Sequence, residues 1–362
     1  PDLADSYNNL GNLYYATQRF QESEEMCKLA LAIYERLAKA NPQAYEPALV
    51  ASYISLGILY RDTQRFHESE AMYKSALAIY ERLAKANPQA YEPDLARSYS
   101  NFAILYSDTQ RFQESEEMYK LALAIRERLA KANPQVYEPV LAQSYNNLAV
   151  LYCHTQRFRE SEAMYKSALA ICERLAKANP LAYEPDLADS YNNLAILYRG
   201  TQRFQESEEM YKSALAIRER LAKANPLAYE PALAQSYNDF ATLYKDTHRY
   251  QESEAMYNSA LAIHERLAKA NPQAYEPALA ESYNNLAATY YYTRQYQECE
   301  TMYKLAIAIR ERLAEDDPQL YGSDLADVYD NLAIVYKHTH RFAESEALAN
   351  AAAAIRECLG LE

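Results

Sequence analysis

Tryptophan is absent from this 362-residue chain, and glycine and cysteine occur only 5 times each. So few glycines leave no room for a Gly-rich loop that cradles phosphates. The cysteines, Cys27, Cys153, Cys172, Cys299 and Cys358, form no C-x-x-C pair, so no zinc or dithiol motif is written here. They read as incidental free thiols, which sets the expectation of a reducing, cytoplasmic compartment. No apolar run reaches the roughly 18 residues that a membrane-spanning helix needs, so no membrane partner is expected. His338 and His340 stand two apart and face different ways on a helix, which excludes a metal pair. Paired acids such as Glu24 and Glu25 recur as a solvated face, not as a buried acid and base. Basic residues are outnumbered 50 to 37, and the formal net charge of −13 excludes a nucleic-acid backbone as partner. No enzyme, cofactor or metal site is expected. The chain starts at Pro1 without Met and shows no signal segment; the expectation is an arm of a larger, intracellular protein.

What is present is repetition. Pro1, Pro47, Pro93, Pro139, Pro185, Pro231 and Pro277 lie 46 residues apart, and Ser323 continues the spacing. A fixed period of this size marks a repeat array, not separate domains. The whole of 1–362 reads as one array with repeats 1–46, 47–92, 93–138, 139–184, 185–230, 231–276, 277–322 and 323–362. Positions below are counted within a repeat from Pro1.

Each repeat predicts two helices. Positions 1 to 17 form the first, with Pro in its opening turn, where a missing N–H is harmless. Positions 19 or 20 to 40 form the second, acidic at its start and mostly basic at its end, as the helix dipole favours. Asn-Pro at 41–42 is expected to stop it, and Asn-Pro-Gln-Ala-Tyr-Glu to link it to the next unit. On a wheel of about 100° per residue, positions 3, 7, 10 and 14 fall within about 60° and hold Leu, Tyr, Leu or Phe, and Tyr. Position 11 beside them is Gly or Ala, so a neighbouring helix can come close. The second helix repeats the logic with Phe or Tyr at 20, Ser or Cys at 23, mostly Tyr at 27, Ala at 30, Ile at 33 and Leu at 37. Neither helix can hide its stripe alone, so pairs must stack on pairs.

Small residues at 11, 23 and 30, with aromatics at 7, 14, 20 and 27, resemble the tetratricopeptide repeat. The string "SYNNLAILY…RFQESEEMYKSALAIRERL" is most similar to the longer kinesin-light-chain variety, over all eight units. Two departures matter. Tyr replaces the usual Trp at position 7, and Glu replaces the Pro that normally ends the second helix near position 35. That helix therefore runs on by about five residues, and the family's superhelical pitch should not carry over. The resemblance implies an all-α, right-handed superhelical solenoid of antiparallel helix pairs, with a concave face lined by the first helices. The linkers "LAKANPxAYEP" resemble those of long bacterial arrays.

Copies differ mainly at positions 2, 5, 8, 12, 15, 16, 25, 29 and 34. Positions 5, 8, 12, 15 and 16 share one arc of the first helix, away from the packing stripe. Position 12 carries Ile58, Ile104, Val150 and Ile196; position 15 carries Arg61, Arg199, Lys245 and Tyr291; position 16 carries His154 and Tyr292. Exposed positions 21, 22, 24, 28, 35 and 36 of the second helix hardly change, which argues against free drift and for diversification toward a ligand. Part of the variation follows a two-repeat copying pattern at positions 2 and 25. Bordering the arc, position 9 holds Asn9, Asn101, Asn147, Asn193, Asn285 and Asn331, with Ser55 and Asp239 as exceptions. An amide both donates and accepts, so it can grip one peptide unit of a passing chain; in relatives that hold extended peptides the resembling Asn does this. Its alternative role is a hydrogen bond to a neighbouring helix. Helices about 10 Å apart against an extended chain rising about 3.3 Å per residue give one Asn for every third ligand residue. The expected partner is therefore an extended peptide or protein segment. The competing expectation is a structural spacer that self-associates end to end.

Overall fold

The computed structural model describes residues 1–361. All regular structure among the described residues is helical, in sixteen helices. They fall into two compact units, Pro1–Pro180 and the residues from Leu181 onward. The first unit holds α1 (Asp2–Ala16), α2 (Phe20–Ala40), α3 (Pro42–Asp62), α4 (Phe66–Ala86), α5 (Pro88–Asp108), α6 (Phe112–Ala132), α7 (Pro134–His154) and α8 (Phe158–Ala178). The second holds α9 (Pro180–Gly200), α10 (Phe204–Ala224), α11 (Pro226–Asp246), α12 (Tyr250–Ala270), α13 (Pro272–Tyr292), α14 (Tyr296–Asp316), α15 (Pro318–His338) and α16 (Phe342–Leu359). Within each unit a helix packs chiefly on its sequence neighbours.

The second helix of each repeat runs where the periodicity places it. The first begins five residues earlier than the wheel predicts: the Asn-Pro link is helix, and Asn alone separates the two elements. Asn41 leaves the helical region at φ −144°, and its side chain accepts from the Ala44 N–H at 3.3 Å. Pro42 then occupies the first turn. A residue that both ends one helix and caps the next explains why Asn-Pro reads as a stop and acts as a start. The cost is a second proline, such as Pro47, inside the helix, where it lacks an N–H for the carbonyl four residues back.

The turn between paired helices is a Schellman motif built without glycine. Gln18 N–H meets the Tyr15 carbonyl at 3.0 Å, and Arg19 N–H meets the Tyr14 carbonyl at 2.8 Å. Gln18 sits at φ 58°, and its counterparts Gln64, Gln110, Gln156, Gln202, His248, Arg294 and His340 are left-handed too. The contact that usually closes this motif is apolar; here the Arg19 guanidinium lies 4.2 Å from the Tyr14 ring centre. The same stack recurs in Arg111 over Tyr106 and Arg249 over Tyr244. In the seventh repeat Gln295 occupies the arginine's place. Because a left-handed L-residue costs about 1–2 kcal/mol, Gln110→Gly is expected to stabilise the chain by about 1 kcal/mol, read as a higher urea midpoint. A lower midpoint would show that the Gln110 side chain holds the turn.

The close approach inside each pair is held by a buried hydroxyl. Ser23 Oγ donates to the Gly11 carbonyl at 2.9 Å, and Ser69, Ser115, Ser207 and Ser253 repeat this bond to Gly57, Ala103, Ala195 and Ala241. Gly11 cannot easily carry a Cβ, which would meet Cys27 Sγ at 2.6 Å. The deepest core is more extensive than the predicted stripe. Position 4 (Ala4, Val50, Ala96) and position 13 (Leu59, Leu105, Leu243) are as buried as the tyrosines at 27.

The constant charges of the second helix are bound. Glu116 accepts from Lys120, from Arg157 of the following repeat and from Tyr152 Oη at 3.0 Å. Tyr99 Oη donates to Glu81 at 2.8 Å, and Arg128 pairs with Glu92 at 2.6 Å. Glu114, at position 22, pairs with Arg111 at 2.9 Å. Positions 22, 24, 28, 35 and 36 are thus held by pairing, so their constancy does not count against drift elsewhere. The expectation that constant charges on the second helix weigh against free drift of the open arc therefore does not hold.

Candidate functional site

The odd-numbered helices carry the variable arc. Position 5 (Asp5, Ala51, Arg97, Gln143, Asp189, Gln235, Glu281, Asp327) and position 16 (Ala16, Asp62, Asp108, His154, Gly200, Asp246, Tyr292, His338) are exposed in every repeat. Position 12 is mixed: Val150 and Ile196 are exposed, while Ile58 and Ile104 are half-buried. Position 15 is half-buried in all but Lys337. Burial pulls the Lys245 ammonium below its usual range, opposed by Asp246. Arg61 and Arg199 each reach toward the position-16 acid of the next repeat, Asp108 and Asp246, at 3.8 Å. Tyr291 and Tyr292 join an aromatic group: Tyr292 stacks on Tyr250 at 5.7 Å, and Tyr291 meets Tyr296 and His338 edge-on at 6.1 and 5.4 Å.

Two variable positions are internal, and for position 8 this departs from expectation. Position 8 is not on the open arc. Ser100, Asn192 and Asn238 are buried, because a helix in the array has a neighbour on each flank, which a single wheel does not show. Asn192 Nδ2 donates to Asp239 at 2.9 Å, and Asn8 Nδ2 to Ser52 Oγ at 3.0 Å. The carbonyl oxygens of Asn146, Asn192 and Asn238 are buried without a hydrogen-bond partner. Position 34 of the second helix is also internal, and it reaches the inner edge of the first helices. Tyr34 donates to Asp5, Arg218 pairs with Asp189, and His264 Nδ1 meets Ser282 Oγ at 2.7 Å. Some of the variation at position 5 therefore follows a buried partner. The sign that could have disclosed position 34 is its composition: Tyr, Cys, His and Arg are an odd set for a solvated site.

The asparagines of position 9 have unequal surroundings. Asn9 is exposed; Asn101, Asn147, Asn193, Asn285 and Asn331 are half-buried. Asn147 Oδ1 accepts from Gln143 at 2.9 Å along its own helix. Asn331 Nδ2 donates to Asn284 at 3.4 Å, the neighbour-helix role weighed above. Between α13 and α15 a cavity of about 660 Å³ is lined by Asn285, Asn331, Glu281, Asp324, Asp327 and Arg310 among others. Among the described residues no group of three or more His, Cys, Asp or Glu is placed to hold a metal ion. No helix among them is long and apolar enough to cross a membrane.

Curated proteins give no match to this sequence. Among solved structures, the chain is similar to BtubC (BKLC) from P. vanneervenii, with 28% identity over 69% of this chain and 92% of that one, at a TM-score of 0.58. It also resembles the apo quorum sensor NprR from B. thuringiensis, at 14% identity, 97% and 87% coverage and a TM-score of 0.60. Aspartyl phosphate phosphatase F from Bacillus subtilis matches at 13% identity, 95% and 83% coverage and 0.58. The last two likenesses concern the fold alone. Tetratricopeptide repeat models match residues 2–82, 49–128, 140–220 and 186–266, and a second such model matches 279–319 and 325–357. With small residues at the helix crossings and this coverage along the chain, the protein belongs to the tetratricopeptide repeat family.

Proposed function

We propose that the chain is a non-enzymatic interaction module that binds an extended peptide or protein segment along the face of its odd-numbered helices. The observation that carries this reading is the behaviour of positions 5 and 16. They stay open to solvent in all eight repeats and change identity from copy to copy, while the packing positions hardly move. A repeated scaffold with a varied open face offers a different local chemistry at each step along a ligand. The likeness in fold to the quorum sensor NprR supports this reading. The half-buried asparagines supply donors and acceptors that do not depend on ligand side chains, and positions 12, 15 and 16 supply selectivity. Ordering a peptide costs about as much per residue as each contact returns, so micromolar affinity is expected.

Changing Asn147, Asn193 and Asn285 together to Ala tests this. Each lost contact is worth about 0.5–1.5 kcal/mol, so capture on a peptide array should fall at least tenfold. Circular dichroism and the melting temperature should stay as in the parent. Unchanged capture removes the asparagine ladder. No capture by the parent, together with mass that grows with concentration in light scattering, favours the spacer.

A further inference from the structure

In every repeat but the seventh, one arginine at position 19 makes three contacts. Its guanidinium lies over the position-14 tyrosine, between 3.9 and 4.3 Å from the ring centre. It pairs with the glutamate at position 22 of its own repeat. It also reaches the glutamate at position 24 of the preceding repeat, as Arg111 reaches Glu70 at 2.9 Å and Arg249 reaches Glu208 at 2.7 Å. A lysine at position 28 holds that second glutamate too, Lys74 to Glu70 and Lys212 to Glu208, each at 2.8 Å.

Where α12, α13 and α14 meet, both cations are gone and their partners are not. Gln295 stands for the arginine and Asn258 for the lysine, whereas Tyr290, Glu298 and Glu254 keep the ring and the two acids. Gln295 Nε2 donates to Thr293 Oγ1 at 2.9 Å, so its amide is engaged within the turn. Among the described residues no cation pairs with Glu254 or Glu298. Tyr290 and Glu254 are half-buried, and Glu298 is exposed. Both acids act on the ring: burial first, and then Glu254 and Glu298, raise the Tyr290 phenol, with Asn258 opposing. At the sister residue Tyr336 the acid Glu300 is offset by Lys304 and Arg341.

The electron-rich face of a tyrosine attracts a cation. A half-buried carboxylate without a cation keeps its desolvation cost and lacks the attraction that offsets it. Two such acids beside one ring favour positive charge from outside the chain. The sister repeats define its shape: a planar guanidinium, flat on the ring and forked between two carboxylates, which a compact ammonium matches less well. The chain's net charge of −13 favours the approach of a basic partner.

We propose that Tyr290, Glu254 and Glu298 form a docking site for one arginine side chain of a partner protein, which lies over the ring and completes the bridge that position 19 makes in the other repeats. The site lies at the helix turns, at positions 14, 22 and 24, none of them in the variable arc, and does not depend on the peptide-binding reading above.

The full chain with 13C-labelled tyrosine rings, titrated with Nα-acetyl-arginine amide and, separately, with Nα-acetyl-citrulline amide at constant ionic strength, tests the site. The Tyr290 ring signal, assigned through Tyr290→Phe, should shift and saturate with the arginine compound alone. Tyr244 and Tyr336, which carry their own arginines, should hold still. Gln295→Arg should abolish the response and raise the urea midpoint, because the chain then supplies the guanidinium itself. An unmoved Tyr290, an equal response to the citrulline compound or to its lysine counterpart, or an undiminished response in Gln295→Arg overturns the proposal. So does a lower urea midpoint in Gln295→Arg, which would show that the place does not accept a guanidinium. Sedimentation separates the sources of the arginine: a parent mass of two chains that falls to one in Gln295→Arg would place it on a second copy and overturn the assignment to a partner protein. The titration probes neither the asparagines nor the open arc, so it can succeed where array capture fails and fail where capture succeeds.

Discussion

Tyr257→Ala is expected to destabilise the chain by about 3–5 kcal/mol, the range for deleting a large buried ring. Tyr257 is fully buried. Its ring fills the space between Ala241, Leu261 and Leu286, from three successive helices, with Met256, Tyr283 and Met302 around them. Those neighbours sit on α11 to α14, each pinned to the next pair, so the array cannot collapse onto the void without moving a junction. Oη of Tyr257 lies 3.0 Å from Thr242 Oγ1. Thr242 also bonds the Asn238 carbonyl at 2.9 Å, so the hydroxyl partner is not orphaned and the loss is mainly the cavity. In a stacked array the damage should be local. Amide exchange should accelerate in α11 to α13 and stay unchanged in α3 to α6. A loss below about 1 kcal/mol, or acceleration spread evenly over the chain, would refute this account.

The second large effect is expected in acid. Glu24, Glu70, Glu116, Glu208 and Glu300 each bridge to the lysine four residues on and to an arginine of the following repeat. Burial alone would raise these carboxyls, but the hydrogen bonds from Arg, Lys and Tyr outweigh it and hold Glu24 and Glu116 at about 2. The folded value lies below the unfolded one near 4.3. The stabilisation is therefore complete above about pH 5 and is lost as the pH falls toward 2. Each partly exposed bridge is worth about 1 kcal/mol at most after solvent screening, so five together contribute several. Asp108 acts in the opposite sense, since burial raises it. The urea midpoint should fall steeply between pH 5 and pH 2, and Glu116→Gln should flatten that slope. A midpoint independent of pH over this range would show that the bridges hold nothing together. Tyrosines give the alkaline limit. Burial and bonds to Glu push Tyr53 and Tyr145 up to about 12. Their stabilisation is full below pH 10 and fades as the pH approaches 12.

Much of this architecture was legible in the letters. The 46-residue spacing, the stripe of Leu and Tyr, and the small residues at 11, 23 and 30 define paired helices and their crossings. Three features were not legible, for physical reasons. Asn41 and Pro42 carry both a stop and a start, and only the N-cap bond to Ala44 shows which one dominates. The constancy of Glu116 comes from Arg157, 41 residues away, a distance that no helical spacing rule covers. The burial of Asn192 and Arg218 depends on the flanking helix, not on their own. The candidate face was legible in part: positions 5 and 16 lie open as read, whereas position 8 does not.

The buried polar pairs have a consequence for assembly. Successive repeats share nearly all their apolar contacts, so a helix pair that docks one unit out of register meets a surface almost as good as its own. Grease alone cannot count. Asn192 against Asp239 and His264 against Ser282 can, because a neighbour slipped by one unit would set Asn285 in the place of Asp239 and Val328 in the place of Ser282, exchanging an acid for an amide and stranding a buried imidazole. These few keyed contacts make the order of the copies part of the folding code, and a block cut out or pasted in at their expense would yield a chain that stacks well and in the wrong sequence.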